Sequence, residues 1–192
     1  MSLSDDRMVW IDTETFGLNP KTDYLMEVGF KITDLDLKTI DQFEVKIWQP
    51  FTYSARLVEA QSNPKDEFVL NMHNESGLFY DAQANGRNIL SAEALMHTWL
   101  DLHEIDGDDP MCGSSVQFDR GMLEAQFPSV FKRFHYRNID VSTVKELCRR
   151  FAPQIYEKKG EGPVSQHRVM PDLVDTINEF KFYTENFMWV TI

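Results

Sequence analysis

Three segments rich in β-branched and aromatic residues, Met8–Thr13, Tyr24–Thr33 and Phe43–Trp48, crowd the amino-terminal quarter of the chain, and only after them does helical periodicity begin. Clusters of Gly, Pro, Asn and Asp separate them, and strands so close in sequence predict an antiparallel meander. Asn63-Pro64-Lys65-Asp66-Glu67 then has the form of a helix start, with a capping Asn and Pro at the first helical position, running to about His73. Ser91 is placed to cap a helix through Glu104, with Leu95, Trp99 and Leu102 at helical spacing. Pro110–Ser115 reads as a short strand, Phe118–Phe127 as an amphipathic segment, Arg137–Val141 as a strand and Ser142–Phe151 as a helix. Ala152–Gln166 reads as a mobile loop and Pro171–Phe187 as a long final helix. Strands first, then alternating helix and strand, predict a three-layer α/β domain whose mixed sheet is flanked by helices. With no repeat, low-complexity tract or linker, residues 1–192 read as a single domain.

The net charge of −12 narrows the partners. A protein that grips a long phosphate backbone carries an excess of Lys and Arg on its binding face, so any nucleic-acid partner of this chain should be short. Bound divalent cations would reverse the sign locally. The two cysteines, Cys112 and Cys148, lie in apolar stretches that suit buried reduced thiols. The amino terminus lacks the pattern of a secretory leader, and no stretch approaches the roughly 20 apolar residues of a membrane span. The expectation is a soluble, cytoplasmic protein without a membrane partner.

Chemistry is concentrated in a few acidic positions. Side chains alternate along a strand, so Asp12 and Glu14 project the same way from the end of the first apolar segment. Hard oxygen ligands of this kind suit Mg²⁺ or Mn²⁺. The triplet alone is weak, since 31 acids among 192 residues give about five acid-x-acid triplets by chance. Its context is stronger, because it runs directly into Thr15-Phe16-Gly17-Leu18, where Gly17 permits a tight turn. Asp119 falls at a strand-to-helix junction, where ligands collect in α/β sheets. In His167-Arg168-Val169-Met170-Pro171-Asp172, Asp172 lies in the first turn of a helix and His167 on the looser loop before it. A rigid carboxylate can hold a metal while an imidazole that titrates near neutrality removes a proton from water. Taken singly, Asp119 also suits a helix cap, Asp172 an acid complementing a helix dipole, and His167 a surface histidine.

Together these residues resemble a known family. Ile11-Asp12-Thr13-Glu14-Thr15-Phe16-Gly17-Leu18, Asp119, and His167 five residues before Asp172 resemble the DEDDh exonucleases, which have a ribonuclease-H-like fold. Cys112-Gly113-Ser114-Ser115 leading to Asp119-Arg120, and Phe134-His135-Tyr136-Arg137 leading through Asp140-Val141-Ser142-Thr143 to Lys145-Glu146-Leu147, resemble the oligoribonucleases more narrowly. The resemblance implies a homodimeric 3′→5′ exoribonuclease that cuts oligoribonucleotides of two to five residues to 5′-mononucleotides, using two divalent cations, Mg²⁺ or Mn²⁺. It implies Asp12, Glu14, Asp119 and Asp172 as metal ligands and His167 as base. It further implies Leu18 and Phe68 beside the bases, His73 and Ser115 near the substrate phosphates, and Tyr136, Arg137 and Ser142 reaching in from a partner subunit, the last two capping a 5′-phosphate. The family usually has Trp where Phe68 stands, a Gly-Gln pair at Gln117-Phe118 and an acid at Pro171. Two other readings stay open: a proofreading-type exonuclease acting on single-stranded DNA, and a nucleotide-binding module without catalysis.

Overall fold

A strand whose two faces are both apolar has to be covered on both sides, and the first strand of this chain is of that kind. In β1 (Arg7–Thr15), Val9 and Ile11 are buried on one face and Met8 and Trp10 on the other. The computed structural model describes residues 6–50, 54–55, 58 and 64–188, without the side chains of 64–66. β2 (Leu25–Asp34) pairs antiparallel with β1 and with β3 (Thr39–Lys46), which is the expected meander. On the other side of β1, β4 (Pro110–Gly113) and then β5 (His135–Asp140) add in parallel, giving the order β3-β2-β1-β4-β5. The sheet is therefore mixed, as the sequence pattern predicts.

The described helices are α1 (Pro64–Glu75), α2 (Leu78–Asn85), α3 (Ile89–Leu102), α4 (Gln117–Gln126), α5 (Pro128–Phe131), α6 (Val141–Phe151), α7 (Pro153–Lys159) and α8 (Val169–Tyr183). Met96 and Trp99 of α3 and Met122 and Leu123 of α4 pack with Val9, Ile11, Phe30 and Ile32 on one face of the sheet. There the Phe30 and Trp99 rings stack with centroids 5.6 Å apart. Val141 and Cys148 of α6 and Leu173, Ile177 and Phe180 of α8 pack with Met8, Trp10 and Cys112 on the other. Both cysteines are free and buried. No described helix is long and apolar enough to cross a membrane.

Several sequence expectations need correction. Asn88, not Ser91, caps α3: its side chain accepts from the Ser91 N–H, and the buried stripe is Ala92, Met96, Trp99 and Leu100, while Leu102 is exposed. The helix expected over Ser142–Phe151 begins one residue earlier, at Val141, and is capped by Asp140, which accepts from the Ser142 N–H at 3.0 Å. The expected loop over Ala152–Gln166 contains α7, which starts with Pro153 and seats Ile155 and Tyr156 against the core. A Pro at the first helical position lacks only an N–H that would have no helical partner, so it favours a start there. The final helix begins at Val169, so Pro171 lies within its first turn, and it ends in a π-helical turn over Thr184–Met188. The Asn expected to cap α1, residue 63, lies outside the described residues.

One glycine sets how closely α8 approaches the sheet. On the α8 face, register places Thr33 opposite Met8, Lys31 opposite Trp10, Gly29 opposite Asp12 and Glu27 opposite Glu14. A Cβ at Gly29 would lie 2.7 Å from Cβ of Val169, so the first turn of α8 sits directly on the bare backbone beside Asp12. Gly29→Ala should therefore lower stability by about 1–3 kcal/mol, as overpacking does. Urea unfolding checks this: an unchanged midpoint would mean that α8 can retreat without cost.

Candidate active site

Alternation along β1 sends Asp12 and Glu14 toward α8 and turns Thr13 the other way. The Thr13 hydroxyl donates to Asp119 Oδ1 at 2.6 Å, drawing a carboxylate from the first turn of α4 to the end of β1. Asp119 is buried there. Asp172, in the first turn of α8, accepts from the Ser165 hydroxyl at 2.6 Å and from the Gln166 N–H at 3.1 Å, which ties down the loop that carries His167. Glu14, His167 and Asp172 each offer a ligand atom within 4.8 Å of the others.

His167 occupies the left-handed region at φ 52°, a conformation that costs a residue with a Cβ about 1–2 kcal/mol. Its N–H donates to Ser165 Oγ at 3.1 Å, and its Nδ1 lies 3.3 Å from the same oxygen. Because the Ser165 proton goes to Asp172, that oxygen has only lone pairs for the imidazole. Nδ1 then carries the proton, and Nε2 is left as the basic nitrogen.

Burial dominates the electrostatics, and crowding of like charges adds to it. Burial, with Asp119, Glu14, Asp172 and Glu27 nearby, pushes the Asp12 carboxyl well above the usual range. Burial followed by Asp172, Glu27 and Asp119 raises Glu14 to about 8, opposed by Arg168. Burial raises Asp119 to about 7 against the hydrogen bond from Thr13. Carboxylates that resist ionisation for want of positive charge, all offering hard oxygens at one point, are a donor set that fits Mg²⁺ or Mn²⁺. Asp12, Glu14, Asp119 and Asp172 are the residues that could hold such cations.

Two clefts open on this cluster and share Ser165. One, of about 390 Å³, is lined by Asp12, Asp172, Ser114, Lys145 and Lys159. The other, of about 730 Å³, is lined by Phe68, Met72, Val164, His167 and Arg168. Phe68 and Leu18 are exposed, as base-stacking groups would need to be, and of these two clefts Phe68 lines the second. His73 is wholly buried; its Nε2 lies 2.9 Å from the Thr15 carbonyl oxygen and its Nδ1 has no hydrogen-bond partner among the described residues. Burial, with His167 adding repulsion, holds its pKa below the ordinary value, so it stands as a neutral prop under the end of β1. Ser115, at φ 55°, donates its N–H to Asp140 Oδ1, and its hydroxyl lies 2.9 Å from that of Ser142. Ser142 is also 3.1 Å from Ser114, a residue of the Asp12 cleft. Tyr136 and Arg137 stand exposed on edge strand β5, the guanidinium 5.7 Å from the Tyr136 ring centroid, and neither lines either cleft.

Sequence reasoning passed over Thr13, Gly29, Ser165 and the ion network of Glu27 with Arg168. Only Glu27 had a visible signal: an acid inside Leu25-Met26-Glu27-Val28-Gly29-Phe30 has to be paired if the strand is buried. The others depend on what the fold brings beside them.

Comparison with known proteins agrees with this geometry. A family model described as exonuclease matches residues 9–180. The chain is 34% identical to the oligoribonuclease of Bordetella pertussis over 99% of this chain and 100% of that one. It is likewise 34% identical to the oligoribonuclease of Nitrosomonas europaea, over 97% and 98% of the two chains. Among solved structures, the zinc-bound complex of Escherichia coli ExoI with single-stranded DNA superposes with a TM-score of 0.67 at 17% identity, and the chain spans 97% of its own length but 42% of that longer protein. That likeness concerns the fold.

The raised carboxyl pKa values imply a pH dependence in metal-free protein. Glu14 binds its proton more tightly folded than unfolded, so its contribution is intact below its ordinary value of 4.5 and is lost as pH climbs to about 8. Metal-free protein should lose stability across that window, with a slope on the order of 1 kcal/mol per pH unit for each such proton. Glu14→Gln should flatten the slope, and divalent cation should restore most stability at the alkaline end; denaturation at a series of pH values, with and without Mn²⁺, measures both.

Proposed function

The chain belongs to the exonuclease family, and from that premise we propose that it is a metal-dependent 3′→5′ exoribonuclease that degrades short oligoribonucleotides to 5′-mononucleotides. The observation that carries this reading is the convergence of Asp12, Glu14, Asp119, Asp172 and His167 at the end of β1. The full-length likeness to oligoribonucleases supports the substrate class, and so does a net charge of −12, which disfavours a long phosphate backbone.

Two divalent cations held by Asp12, Glu14, Asp119 and Asp172 would supply the positive charge that lets phosphate approach these acids and would activate the attacking water. His167 accepts the water's proton at Nε2. The water oxygen bonds to phosphorus of the last phosphodiester as the bond to the 3′ oxygen of the preceding nucleotide breaks. A 5′-mononucleotide leaves, and the departing 3′ oxygen takes a proton from solvent, so the shortened chain ends in a 3′ hydroxyl. Ser165 holds the imidazole with Nε2 free, and Asp172 orients Ser165.

Phe68 and Leu18 would lie against the bases, since an aromatic face stacks on any base and thus tolerates any sequence. Ser115 and Ser142 would contact phosphate, with His73 supporting the strand end beneath. A homodimer belongs to this reading. Tyr136 and Arg137 would cross to a partner's site, and exposed Leu147 and Phe151 on the adjoining α6 are apolar surface suited to burial between subunits.

Incubating the protein with Mn²⁺ and either a 5′-phosphorylated diribonucleotide or a long single strand should release mononucleotides rapidly only from the former. Preference for the long strand would move the protein to the proofreading type. His167→Ala should lower turnover about a hundredfold or more while leaving metal affinity nearly unchanged, whereas Asp12→Ala should lose both activity and metal binding. Full turnover in His167→Ala would remove the base from the mechanism. Sizing in solution should give a dimer; a stable monomer would cancel the roles given to Tyr136 and Arg137.

A further inference from the structure

The loop carrying His167 is held on its far side by a network of charges. Glu27 is wholly buried in β2, on the α8 face beside Glu14. An ionised carboxylate so placed needs partners. Arg168 supplies a forked pair, Nε donating to Oε2 at 3.2 Å and Nη2 to Oε1 at 3.0 Å. The Val169 N–H, among the first of α8 and without a helical acceptor, donates to the same carboxylate at 3.2 Å. The guanidinium also reaches Asp81 of α2 at 2.6 Å, and the Lys46 ammonium of β3 lies 3.6 Å from both Glu27 and Asp81.

These bonds bracket one residue. Upstream, Asp172 holds Ser165 and Gln166; downstream, Glu27 holds Arg168 and Val169, and Val169 is pressed onto Gly29. Between the anchors stands His167 at φ 52°. A strained residue persists only where its surroundings over-determine it, and release of one anchor lets it relax and swing its ring. From this geometry we infer that Glu27 and Arg168 are positioning residues, a clamp that keeps the His167 imidazole against Glu14 and Asp172; the inference rests on the exonuclease reading of the site. The guanidinium suits this task because its planar fork fixes direction as well as charge, which an ammonium cannot do.

A matched control exists on the same sheet. Arg7 forks onto the buried Asp109 with bonds of 2.9 and 2.8 Å, and its side chain is 23% exposed against 24% for Arg168. Arg168→Ala, Arg168→Lys and Arg7→Ala are assayed with Mn²⁺ on a 5′-phosphorylated diribonucleotide well below their melting temperatures, alongside Mn²⁺ titration calorimetry. Amide hydrogen exchange over residues 165–170 is followed in metal-free protein. Arg168→Ala should lose about ten- to a hundredfold in kcat through misplacement of the base, with KM and Mn²⁺ affinity changed less than about threefold. Exchange at His167 should accelerate, and Arg168→Lys should recover part of both effects. Arg7→Ala should melt lower yet keep kcat within about threefold of the parent. Unchanged kcat in Arg168→Ala, or an equal loss in Arg7→Ala, overturns the clamp. If Arg168→Ala does not fold, the isosteric Glu27→Gln is measured by the same criteria. Failure of the unaltered protein to cleave would overturn the exonuclease reading instead, and the exchange data would still decide whether the clamp holds the loop.

Discussion

Four carboxylates brought to one point repel one another, and much of this fold works to hold them there. Asp12 and Glu14 come from the central strand, Asp119 from the first turn of α4 and Asp172 from that of α8. None is close to its partners in sequence except the first pair. Burial raises the cost of their charge, which is why Glu14 and Asp119 are pushed to about 8 and about 7. Such a cluster is a poor structural element and a good cation site. It also reconciles an acidic protein with a phosphodiester substrate, since the local charge becomes positive only where cations bind.

Rigid neighbours hold the cluster against that repulsion. β1 is central and buried on both faces, so Asp12 and Glu14 cannot splay. Thr13 faces the other way and holds Asp119 by its hydroxyl. Gly29 lets α8 lie on the sheet beside Asp12, and Glu27 receives the backbone N–H that starts the helix. A side chain at position 29 or an apolar one at position 27 would satisfy a buried strand equally well by composition. Each would remove a contact that brings Asp172 and His167 into place.

Much of the fold was legible because it rests on local rules. The meander followed from three apolar runs separated by turn residues, and α4, α6 and α8 from periodicity with acids or Pro near their starts. The α7 segment was missed because its Lys, Glu and Gly suggested a loop, while Ile155 and Tyr156 gain their helical anchor only from a core contributed by distant residues. The cap of α3 was misplaced by three residues because Asn88 and Ser91 are both good capping types, and local preference does not choose between them. At the site, the carboxylates and His167 were visible as motifs, whereas the contact between the hydroxyls of Ser115 and Ser142, which lie far apart in sequence, was not.

The sequence alone determined the residue types, the alternation that points Asp12 and Glu14 one way, and the helix start that makes Asp172 rigid. These are properties of single elements, set by backbone periodicity and by which side chains can end or begin a helix. Tertiary structure alone decided that Thr13 holds Asp119, that Glu27 stands beside Glu14 yet is paired by Arg168, and that His167 keeps a strained conformation between two anchors. Thr13 and Asp119, like Glu27 and Arg168, lie more than a hundred positions apart, and only the packing of α4 and α8 on opposite faces of one sheet brings such residues within hydrogen-bond range.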